Sequence, residues 1–474
     1  MSRPVIENRT YDELVIGDRV AIRHTVSQND VELFAHLSGD VNPAHLDEAY
    51  AASTRFGKRI AHGMLSGGLI STVLGTRLPG PGTIHLGQSL RFTAPVMIGD
   101  TVVVTLTVKE KRERRVVLFD CTVAKTDGTV VVTGEAEVMA PKDKVRREPV
   151  ELPQVILRRS HGVHEGFVAR AQAGSRIPTA VAHPCDETSL RGALEARDAG
   201  IIEPVLVGPV EKIETLAHRL GLDLAGCRLV EAPHSHAAAA RAVELARRGA
   251  VQLLMKGSLH SDELLHEVTA RETGLRTGRR ISHVFLMDVP SYPKPLFVTD
   301  AAVNIVPDLE TKADIVQNAI DLFRGLGLGT PKVAILSAVE TVTPKIPTTL
   351  EAAALCKMAE RGQITGGLLD GPLALDNAIS LEAARIKHIE GPVAGQADIL
   401  LVPDLEAGNM LAKNLSFLAG AEAAGIVLGA AVPIVLTSRA DTVRTRLASA
   451  AVAALYAAVI AAEPGAAPAT LKAA

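Results

Sequence analysis

The 474-residue sequence lacks an excess of charge of either sign. Its 50 lysines and arginines stand against 53 aspartates and glutamates, which leaves a net charge of −3. Such a balance provides no strong field for a polyanion, so we expect neither nucleic acid nor an anionic membrane as a partner. A small anionic ligand would have to be held by local lysines, arginines and backbone amides.

The sequence also lacks CxxC pairs of cysteines and a long apolar run. No CxxC pair supports a disulfide framework or a zinc site, and the scattered cysteines favour a reducing cytoplasm; they are Cys121, Cys185, Cys227 and Cys356. The polar, charged start MSRPVIENRTYDELVIGD predicts that there is no secretory signal. The most apolar tract, AAVAALYAAVIAA, is shorter than the roughly 20 residues that a bilayer needs, which predicts a buried helix.

The patterns that are present in the sequence predict several domains. A prior of roughly 150 residues per domain predicts two to four domains. Strand-like alternation in DTVVVTLTV and RRVVLFDCTVA, followed by a TDGT turn, predicts an antiparallel sheet in a domain over residues 1–140. The segment PKDKVRREPVELP has three prolines, many charges and no apolar period, which predicts a linker over residues 141–154.

The remainder of the chain predicts a two-lobed α/β domain with mostly parallel sheets over residues 155–465, and a flexible tail over residues 466–474. Its short buried strands alternate with long helical stretches, which is typical of a layered α/β architecture. The strands predicted here are PVLVG, VQLLMKG, KVAILSA, ADILLVPD and PIVLTS.

Residues 38–47, SGDVNPAHLD, combine an acid, an amide and an imidazole around a proline. One interpretation is an Asx-Pro turn, in which Asp40 and Asn42 make local hydrogen bonds and Pro43 fixes the backbone. The surroundings favour a second interpretation, a functional site. The stretch follows the amphipathic NDVELFAHL and precedes RIAHGMLSGGLIS, which continues as an apolar helix before the strands begin.

The stretch SGDVNPAHLDEAYAASTRFGKRIAHGMLSGGLISTVLG, followed by LGQSLRFTAPVMIGDTV, resembles the MaoC-like (R)-specific enoyl-CoA hydratases over about residues 10–140. The resemblance implies a hot-dog fold, which is a helix wrapped by an antiparallel sheet. It also implies that Asp40 and His45 are the catalytic pair, that Asn42 belongs to the motif and that Ser71 is a further polar position near the site. A helix serine that bonds its own turn is the alternative for Ser71.

The chemistry of hydration requires this combination of residues. Adding water to an α,β-unsaturated thioester needs a base, an acid for the α-carbon and stabilisation of the enolate oxygen. A histidine such as His45 titrates near neutral pH, and Asp40 can orient the water. Gly63 begins a helix, so its N–H can face the thioester oxygen. His62 is predicted to be structural, because Asp40 and His45 suffice for acid–base work.

From about residue 155 to 460 the chain resembles the phosphotransacetylase and phosphotransbutyrylase family, and more closely its butyryl branch. The resemblance is carried by LLMKGSLHSDELL, GLRTGRRISHVFLMDVP, DGPLALDNAIS, ADILLVPDLEAGNMLAKNL and PIVLTSRAD. It implies transfer of an acyl group between coenzyme A and phosphate. In TSRAD it implies catalytic roles for Ser438, a hydroxyl donor, and Arg439, a guanidinium that can fork onto phosphate. A helix cap at Ser438 is the alternative.

Further substrate-binding residues are predicted at strand ends. Lys256 and Gly257 follow the strand VQLL, where bare amides and an ammonium would meet an anion; a solvated loop charge is the alternative. Ser282 and the pair Thr299 and Asp300 lie at comparable strand ends, with ordinary capping and turn chemistry as the alternative.

Two departures from the family pattern concern phosphate and the general base. His266 stands where the family usually has an arginine, and a histidine cannot offer the bidentate fork. The nearby arginines that could substitute are Arg271, Arg276, Arg279 and Arg280. Asp441 follows the Ser-Arg pair at once and TVRT replaces the later acid, so no base is assigned. GLGLGTP precedes a strand instead of following one, which argues against a dinucleotide fingerprint.

Together the two regions predict a bifunctional short-chain acyl-CoA enzyme, a hydratase followed by a phosphate acyltransferase. The alternative is an active hydratase whose second domain only binds acyl-CoA and oligomerises; His266 favours it, whereas MKGS and TSRAD favour the first hypothesis. We expect no permanently bound cofactor or metal, with coenzyme A thioesters and inorganic phosphate as substrates. Because members of both families usually form dimers, we expect a homo-oligomer.

Overall fold

The computed structural model of the protein describes residues 5–148, residue 155, residues 162–437 and residues 442–462. The chain forms two compact units, which are divided between residues 157 and 158. The first contains the region of alternating strands, and the second contains the region in which short strands alternate with helices.

The first unit combines short helices, one longer apolar helix and antiparallel strands. In chain order its elements are β1 (Ile6–Glu7), β2 (Arg19–Thr25), α1 (Gln28–Ser38), α2 (Pro43–Leu46), α3 (Glu48–Ser53), α4 (Gly63–Thr76), β3 (Ile84–Phe92), β4 (Thr101–Lys111), a 3-10 turn (Glu113–Arg115), β5 (Val116–Lys125), β6 (Val130–Met139) and β7 (Arg146–Arg147).

An antiparallel sheet in the order β2-β4-β5-β6-β3 wraps α4. Along most of β4 buried residues alternate with half-buried ones, as expected for a strand with one face in a core. Ile70, Val73 and Leu74 of α4 lie in the same core cluster as the inward residues of the sheet. The predicted hot-dog fold is therefore confirmed, and TDGT forms the turn between β5 and β6, with Gly128 at a φ of +90°.

The first unit extends further along the chain than predicted. β7 pairs antiparallel with β1. The buried Asn8 side chain donates to the Asp143 carbonyl at 2.9 Å and accepts from the Val145 N–H at 2.9 Å. Residues 141–148 therefore belong to the first unit, and the predicted linker over residues 141–154 begins too early. Composition alone does not reveal that a distant asparagine satisfies this charged segment.

The second unit alternates strands and helices along its whole length. Its elements are α5 (Val163–Gln172), β8 (Ile177–Ala182), α6 (Glu187–Asp198), β9 (Ile202–Gly208), α7 (Val210–Leu220), β10 (Arg228–Glu231), α8 (Ser235–Arg247), β11 (Leu253–Lys256), α9 (Ser261–Thr269), β12 (Ser282–Asp288), β13 (Leu296–Thr299), α10 (Leu309–Gly325), β14 (Lys332–Leu336), α11 (Pro347–Glu360), β15 (Leu368–Leu373), α12 (Leu375–Ile379), α13 (Leu381–Ile386), β16 (Ile399–Leu401), α14 (Leu405–Phe417), β17 (Glu422–Leu428), β18 (Ile434–Val435) and α15 (Val443–Ala462).

One continuous sheet runs through the second unit in the order β10-β9-β8-β11-β18-β17-β12-β13-β16-β14-β15. Neighbours from β10 to β18 pair in parallel, and so do neighbours from β13 to β15. Between these blocks, β17 and β12 pair antiparallel with both of their neighbours. The mostly parallel α/β architecture is confirmed, and the two expected lobes correspond to two parallel blocks of one sheet.

Helices cover both faces of this sheet. α5, α6, α7, α10, α11 and α15 share one apolar cluster, whereas α8 and α9 belong to a cluster on the other face of the first block. The apolar tract predicted as a buried helix lies in α15, which is longer than the tract itself. By length and composition α15 could span a membrane, but half of its most apolar window is buried in the unit, as in a core helix.

Candidate active sites

The turn between α1 and α2 holds Asp40, Asn42 and His45. The Asn42 side chain accepts the Ala44 N–H at 3.0 Å and caps α2, and one Asp40 carboxylate oxygen accepts the Asn42 N–H at 3.2 Å. The predicted Asx-Pro turn is therefore present. The turn does not exclude a catalytic site, because its hydrogen bonds do not use the second Asp40 carboxylate oxygen or the His45 ring.

His45 is oriented by a backbone carbonyl from a distant part of the chain. Its Nδ1 lies 2.9 Å from the Ile60 carbonyl oxygen. Because a carbonyl only accepts hydrogen bonds, Nδ1 carries the proton and Nε2 keeps its lone pair. A half-buried imidazole held in this tautomer can take a proton from a water molecule at Nε2.

Asp40, His45 and His62 form one cluster, in which one ligand-type atom of each lies within 4.8 Å of the others. The His45 and His62 ring centroids are 3.9 Å apart with an angle of 33° between the planes. Two imidazoles and a carboxylate could also hold a metal ion. In each ring one nitrogen faces a backbone carbonyl, so one nitrogen of each histidine remains beside the Asp40 carboxylate, and this arrangement also suits acid–base chemistry.

Gly63 and Ser71 lie on α4, at different distances from this cluster. Gly63 is the first residue of the helix, where a backbone N–H has no acceptor inside the helix. A Cβ at Gly63 would lie 3.0 Å from Cε1 of Phe92 on β3, which supports the expectation that a side chain would obstruct this place. Ser71 is exposed and lies two turns, or about 12 Å, further along the helix axis than Gly63; its place near the substrate stays a prediction.

In the second unit, Lys256 ends β11 and Gly257 follows it, but the amides after the strand are not bare. The Gly257 N–H donates to the Ala182 carbonyl and the Ser258 N–H to the His183 carbonyl, each at 2.9 Å. A Cβ at Gly257 would lie 2.3 Å from the Ala182 oxygen, so glycine is required here by the close approach of β8. The prediction of free amides for an anion is wrong because the neighbouring parallel strand uses them.

Lys256 nevertheless lies beside the predicted catalytic segment. Its side chain is 5% exposed, and its Nζ is 3.5 Å from the Thr437 carbonyl oxygen. It is therefore not the solvated loop charge of the alternative. Ser438, Arg439 and Asp441 lie outside the described residues.

Ser282 and Thr299 are buried and hydrogen-bonded inside the unit. Ser282 begins β12 instead of ending it, is 0% exposed and accepts from the Asn318 side chain at 2.9 Å. Thr299 ends β13 as predicted, is 0% exposed, and its hydroxyl donates to the His283 carbonyl. These contacts favour structural roles for both residues over the predicted substrate contacts.

Asp300 organises the loop after β13. Its carboxylate accepts backbone N–H groups from His283, Ala302, Val303 and Asn304 at 3.0–3.2 Å, and also the Asn304 side-chain amide. Burial raises the pKa of Asp300 despite these donors. The contacts match the predicted alternative, turn chemistry.

The predicted substrate-binding residues do not converge. β11 and β13 run in opposite directions because the antiparallel strands β17 and β12 lie between their blocks. The carboxyl ends of β11 and β13 therefore lie at opposite edges of the sheet. The two strands are also four positions apart across the sheet, or about 19 Å. Lys256 and Gly257 belong to one edge, and Thr299 and Asp300 belong to the other.

Sequence reasoning missed the contact between His183, after β8, and Ser258, after β11. β8 has β9 on one side and β11 on the other, which makes this edge a topological switch point of the kind that binds ligands. The Ser258 hydroxyl donates to the His183 carbonyl at 2.8 Å and lies 3.0 Å from His183 Nδ1. Burial, followed by the charge of Lys212, lowers the pKa of His183. The signal was available, because His183 directly follows the buried strand TAVA.

A second missed residue is Arg446, a cation inside the apolar helix α15. It is 3% exposed and donates to the Thr437 hydroxyl at 2.8 Å. Lys256 and Arg446 thus both contact the residue that precedes Ser438. The sequence signal was an arginine at the start of an alanine-rich apolar helix, two residues after Arg444.

His266 lies exposed in the last turn of α9. Of the nearby arginines, Arg279 forms an ion pair with Asp321, whereas the side chains of Arg271, Arg276 and Arg280 are exposed. Of these four arginines, Arg279 is therefore already used inside the unit.

Comparison with known proteins separates the same two regions. A family model for a MaoC like domain matches residues 16–129, and a model for phosphate acetyl/butaryl transferase matches residues 234–454. Among solved structures, a branched-chain phosphotransacylase from Enterococcus faecalis is 31% identical, covers 59% of this chain and 99% of its own, and has a TM-score of 0.52. An unliganded R-hydratase from Pseudomonas aeruginosa is 49% identical, covers 32% of this chain and 99% of its own, and has a TM-score of 0.32.

Two curated relatives match the second region. A phosphate acetyltransferase from Rhizobium meliloti is 70% identical over 295 residues, which are 62% of this chain and 93% of that protein. A phosphate butyryltransferase from Clostridium acetobutylicum is 43% identical over 291 residues, which are 61% of this chain and 97% of that protein. These identities run against the expectation that the region is closer to the butyryl branch. The chain belongs to the phosphate acetyl/butyryltransferase family, and it carries a MaoC-like domain ahead of that region.

Proposed function

We propose that the protein is a bifunctional short-chain acyl-CoA enzyme. The first unit would hydrate trans-2-enoyl-CoA to (R)-3-hydroxyacyl-CoA, and the second would transfer acyl groups reversibly between coenzyme A and phosphate. The observation that carries the hydratase proposal is the His45 ring, held by Ile60 in the tautomer that a base requires and clustered with Asp40. Family membership carries the transferase proposal.

In hydration, a water molecule held by Asp40 and His45 loses a proton to His45 Nε2 as its oxygen attacks C3 of the substrate. The electrons of the double bond move to the thioester oxygen, which becomes an enolate facing the first amides of α4 at Gly63. Oriented donors at that place stabilise the developing charge. Return of the proton to C2 completes the addition and restores the site.

In acyl transfer, a phosphate oxygen attacks the thioester carbon and the coenzyme A thiolate leaves. The family resemblance assigns the hydroxyl of Ser438 and the guanidinium of Arg439 to this step. The buried ammonium of Lys256 and the buried guanidinium of Arg446, both at Thr437, supply positive charge beside that segment. They provide cations that His266 does not, which supports an active transferase over a binding module.

Several wider properties are part of the same proposal. A reducing cytoplasm is supported by the cysteines, because Cys121, Cys185, Cys227 and Cys356 are all free thiols. Coenzyme A thioesters and phosphate serve as substrates, with no resident cofactor or metal. A homo-oligomer is supported by the edge strand β3, which pairs only with β6 in the sheet and exposes Ile84, Leu86 and Phe92.

The first test is phosphate-dependent release of coenzyme A from acetyl-CoA and butyryl-CoA by the purified full chain, with Arg439→Ala as the control. Release that disappears in the variant supports the transferase. Absence of release from protein that still hydrates crotonyl-CoA would make the second unit a binding and oligomerising module.

The second test is His45→Ala. We expect this change to abolish hydration of crotonyl-CoA and to leave phosphate-dependent transfer at the wild-type rate, because the two sites lie in separate units. Loss of both activities would contradict independent sites. An unchanged rate of hydration would refute the proposed base.

A further inference from the structure

His62 lies between the two parts of the proposed hydratase site. His62 is 2% exposed. Its ring centroid lies 5.0 Å from that of Phe34 and 3.9 Å from that of His45. Its Nε2 is 2.9 Å from the backbone carbonyl oxygen of Asp40. We propose that His62 is a positioning residue for hydration, which holds the Asp40 loop and the His45 ring against the start of α4. The inference rests on the proposed hydratase function.

The hydrogen bond fixes the state of the His62 ring. A carbonyl only accepts, so Nε2 carries the proton and Nδ1 keeps a lone pair. Nδ1 is buried and has no hydrogen-bond partner among the described residues. An unsatisfied buried polar atom costs about 1–3 kcal/mol, which a phenylalanine at this place would avoid. The histidine makes one hydrogen bond that a phenylalanine could not make, from Nε2 to the Asp40 carbonyl.

That bond is the long-range hydrogen bond of Asp40 itself. The turn is also joined to the same distant segment by the Ile60 N–H, which donates to the Ala44 carbonyl at 3.2 Å, and by the bond between His45 and the Ile60 carbonyl. The other bonds at Asp40 are local: its N–H donates to the Ser38 hydroxyl and its carboxylate accepts the Asn42 N–H, both at 3.2 Å. Local bonds shape the turn but do not place it relative to the rest of the unit. His62 is 22 residues away in sequence, so its bond sets the position of the Asp40 backbone relative to α4.

A short segment, residues 60–63, thereby organises the whole site. The Ile60 carbonyl fixes the tautomer of His45, the His62 ring fixes the Asp40 backbone, and Gly63 presents the first amide of α4. The same stretch of backbone therefore positions the proposed base His45, the water-orienting Asp40 and the oxyanion donor at Gly63.

The test compares two full-chain variants, His62→Phe and His62→Gln. Phenylalanine keeps the ring and the packing but loses the donor, whereas glutamine places an amide N–H where Nε2 was. The measurements are kcat and KM for hydration of crotonyl-CoA. Phosphate-dependent release of coenzyme A by the same preparation serves as an internal standard for the other unit, and circular dichroism reports whether each variant is folded.

We expect His62→Phe to lower kcat by about 10–100-fold, the scale of a displaced catalytic group, with KM changed by less than about twofold. His62→Gln should recover at least about one third of the lost activity on a logarithmic scale. Transfer activity should remain at the wild-type level in both variants. If His62→Phe does not fold, His62→Met replaces it in the comparison with His62→Gln.

Three outcomes would overturn the inference. These are an unchanged kcat in the apolar variant, an increase in KM at constant kcat, and equal losses in the apolar and glutamine variants. A wild-type protein that does not hydrate crotonyl-CoA would refute the proposed hydratase itself, so the two failures are distinguishable.

Discussion

At the scale of single residues, the turn and the candidate site are the same structure. Asn42 caps α2 and Asp40 closes the turn, yet both lie beside the base His45. Local hydrogen bonding and function therefore do not compete here, because the turn uses one oxygen of Asp40 and the backbone, and leaves the His45 ring free to be oriented by Ile60.

Gly63 provides the residue-scale prediction. In Gly63→Ala the new Cβ would lie 3.0 Å from the Phe92 ring and would crowd the first amide of α4. We expect kcat for hydration of crotonyl-CoA to fall by about 10–100-fold, since loss of one oxyanion donor has effects of that order or larger. Steady-state kinetics of the purified variant provide the measurement.

The matched control is Gly68→Ala in the same helix, where a Cβ meets nothing within 4 Å. It should keep the wild-type kcat, and it should stabilise the first unit by about 0.5–1 kcal/mol because alanine is the better helix former. Wild-type activity in Gly63→Ala would remove Gly63 from the proposed mechanism.

At the scale of elements, the central strand β12 carries a buried histidine. His283 is 1% exposed, and burial lowers its pKa to about 3 from an ordinary value of 6.5. Below pH 6.5 the unfolded chain binds a proton that the folded protein binds only near pH 3. His283 therefore contributes stability that is complete above pH 6.5 and is lost as the pH falls towards 3.

We expect His283→Gln, which cannot titrate, to flatten the pH dependence of the free energy of unfolding between pH 6.5 and 3 by up to about 1.4 kcal/mol per pH unit. Urea unfolding followed by circular dichroism is the measurement, because the sequence has no tryptophan. Asp300 acts with the opposite sign, since its pKa is raised, and it is the same in both proteins. Exposed His266→Gln is the control, and equal slopes for wild type and His283→Gln would contradict the prediction.

At the scale of the whole molecule, assembly is expected to involve the edge strand β3. Leu86 on this edge is 49% exposed, and a lysine on an edge strand blocks pairing with another sheet. Because members of both families usually form dimers, we expect one kind of interface for each unit. Leu86→Lys should remove the interface of the first unit and reduce the mass of the full-chain assembly by about half in analytical ultracentrifugation.

Leu37→Lys on α1, where the leucine is 87% exposed, should leave the assembly unchanged. An identical mass for wild type and Leu86→Lys would mean that β3 is not an interface.

Features that depend on neighbouring residues in the sequence were predictable, whereas features that depend on residues far apart in the sequence were not. The antiparallel sheet of the first unit and the α/β layering of the second follow from periodicity, since burial of alternating or helically spaced residues is a local pattern. The hot-dog arrangement of helix and sheet was implied by the family resemblance. All of the strands named from the sequence are observed: PVLVG in β9, VQLLMKG in β11, KVAILSA in β14, ADILLVPD in β16 and PIVLTS in β18. Asp40, Asn42 and His45 lie within six residues, so their turn brings them together without help from the rest of the chain.

Tertiary structure decided the features that depend on partners far along the chain. The direction of β12 and β17 separates Lys256 from Thr299, and strand pairing occupies the amides of Gly257 and Ser258, which residue type alone cannot reveal. Likewise, the sequence identified His62 only as structural. Its hydrogen bond to Asp40 and its stacking on His45 exist because a segment 20 residues later folds back over the turn, and such long-range closure depends on the packing of the whole unit.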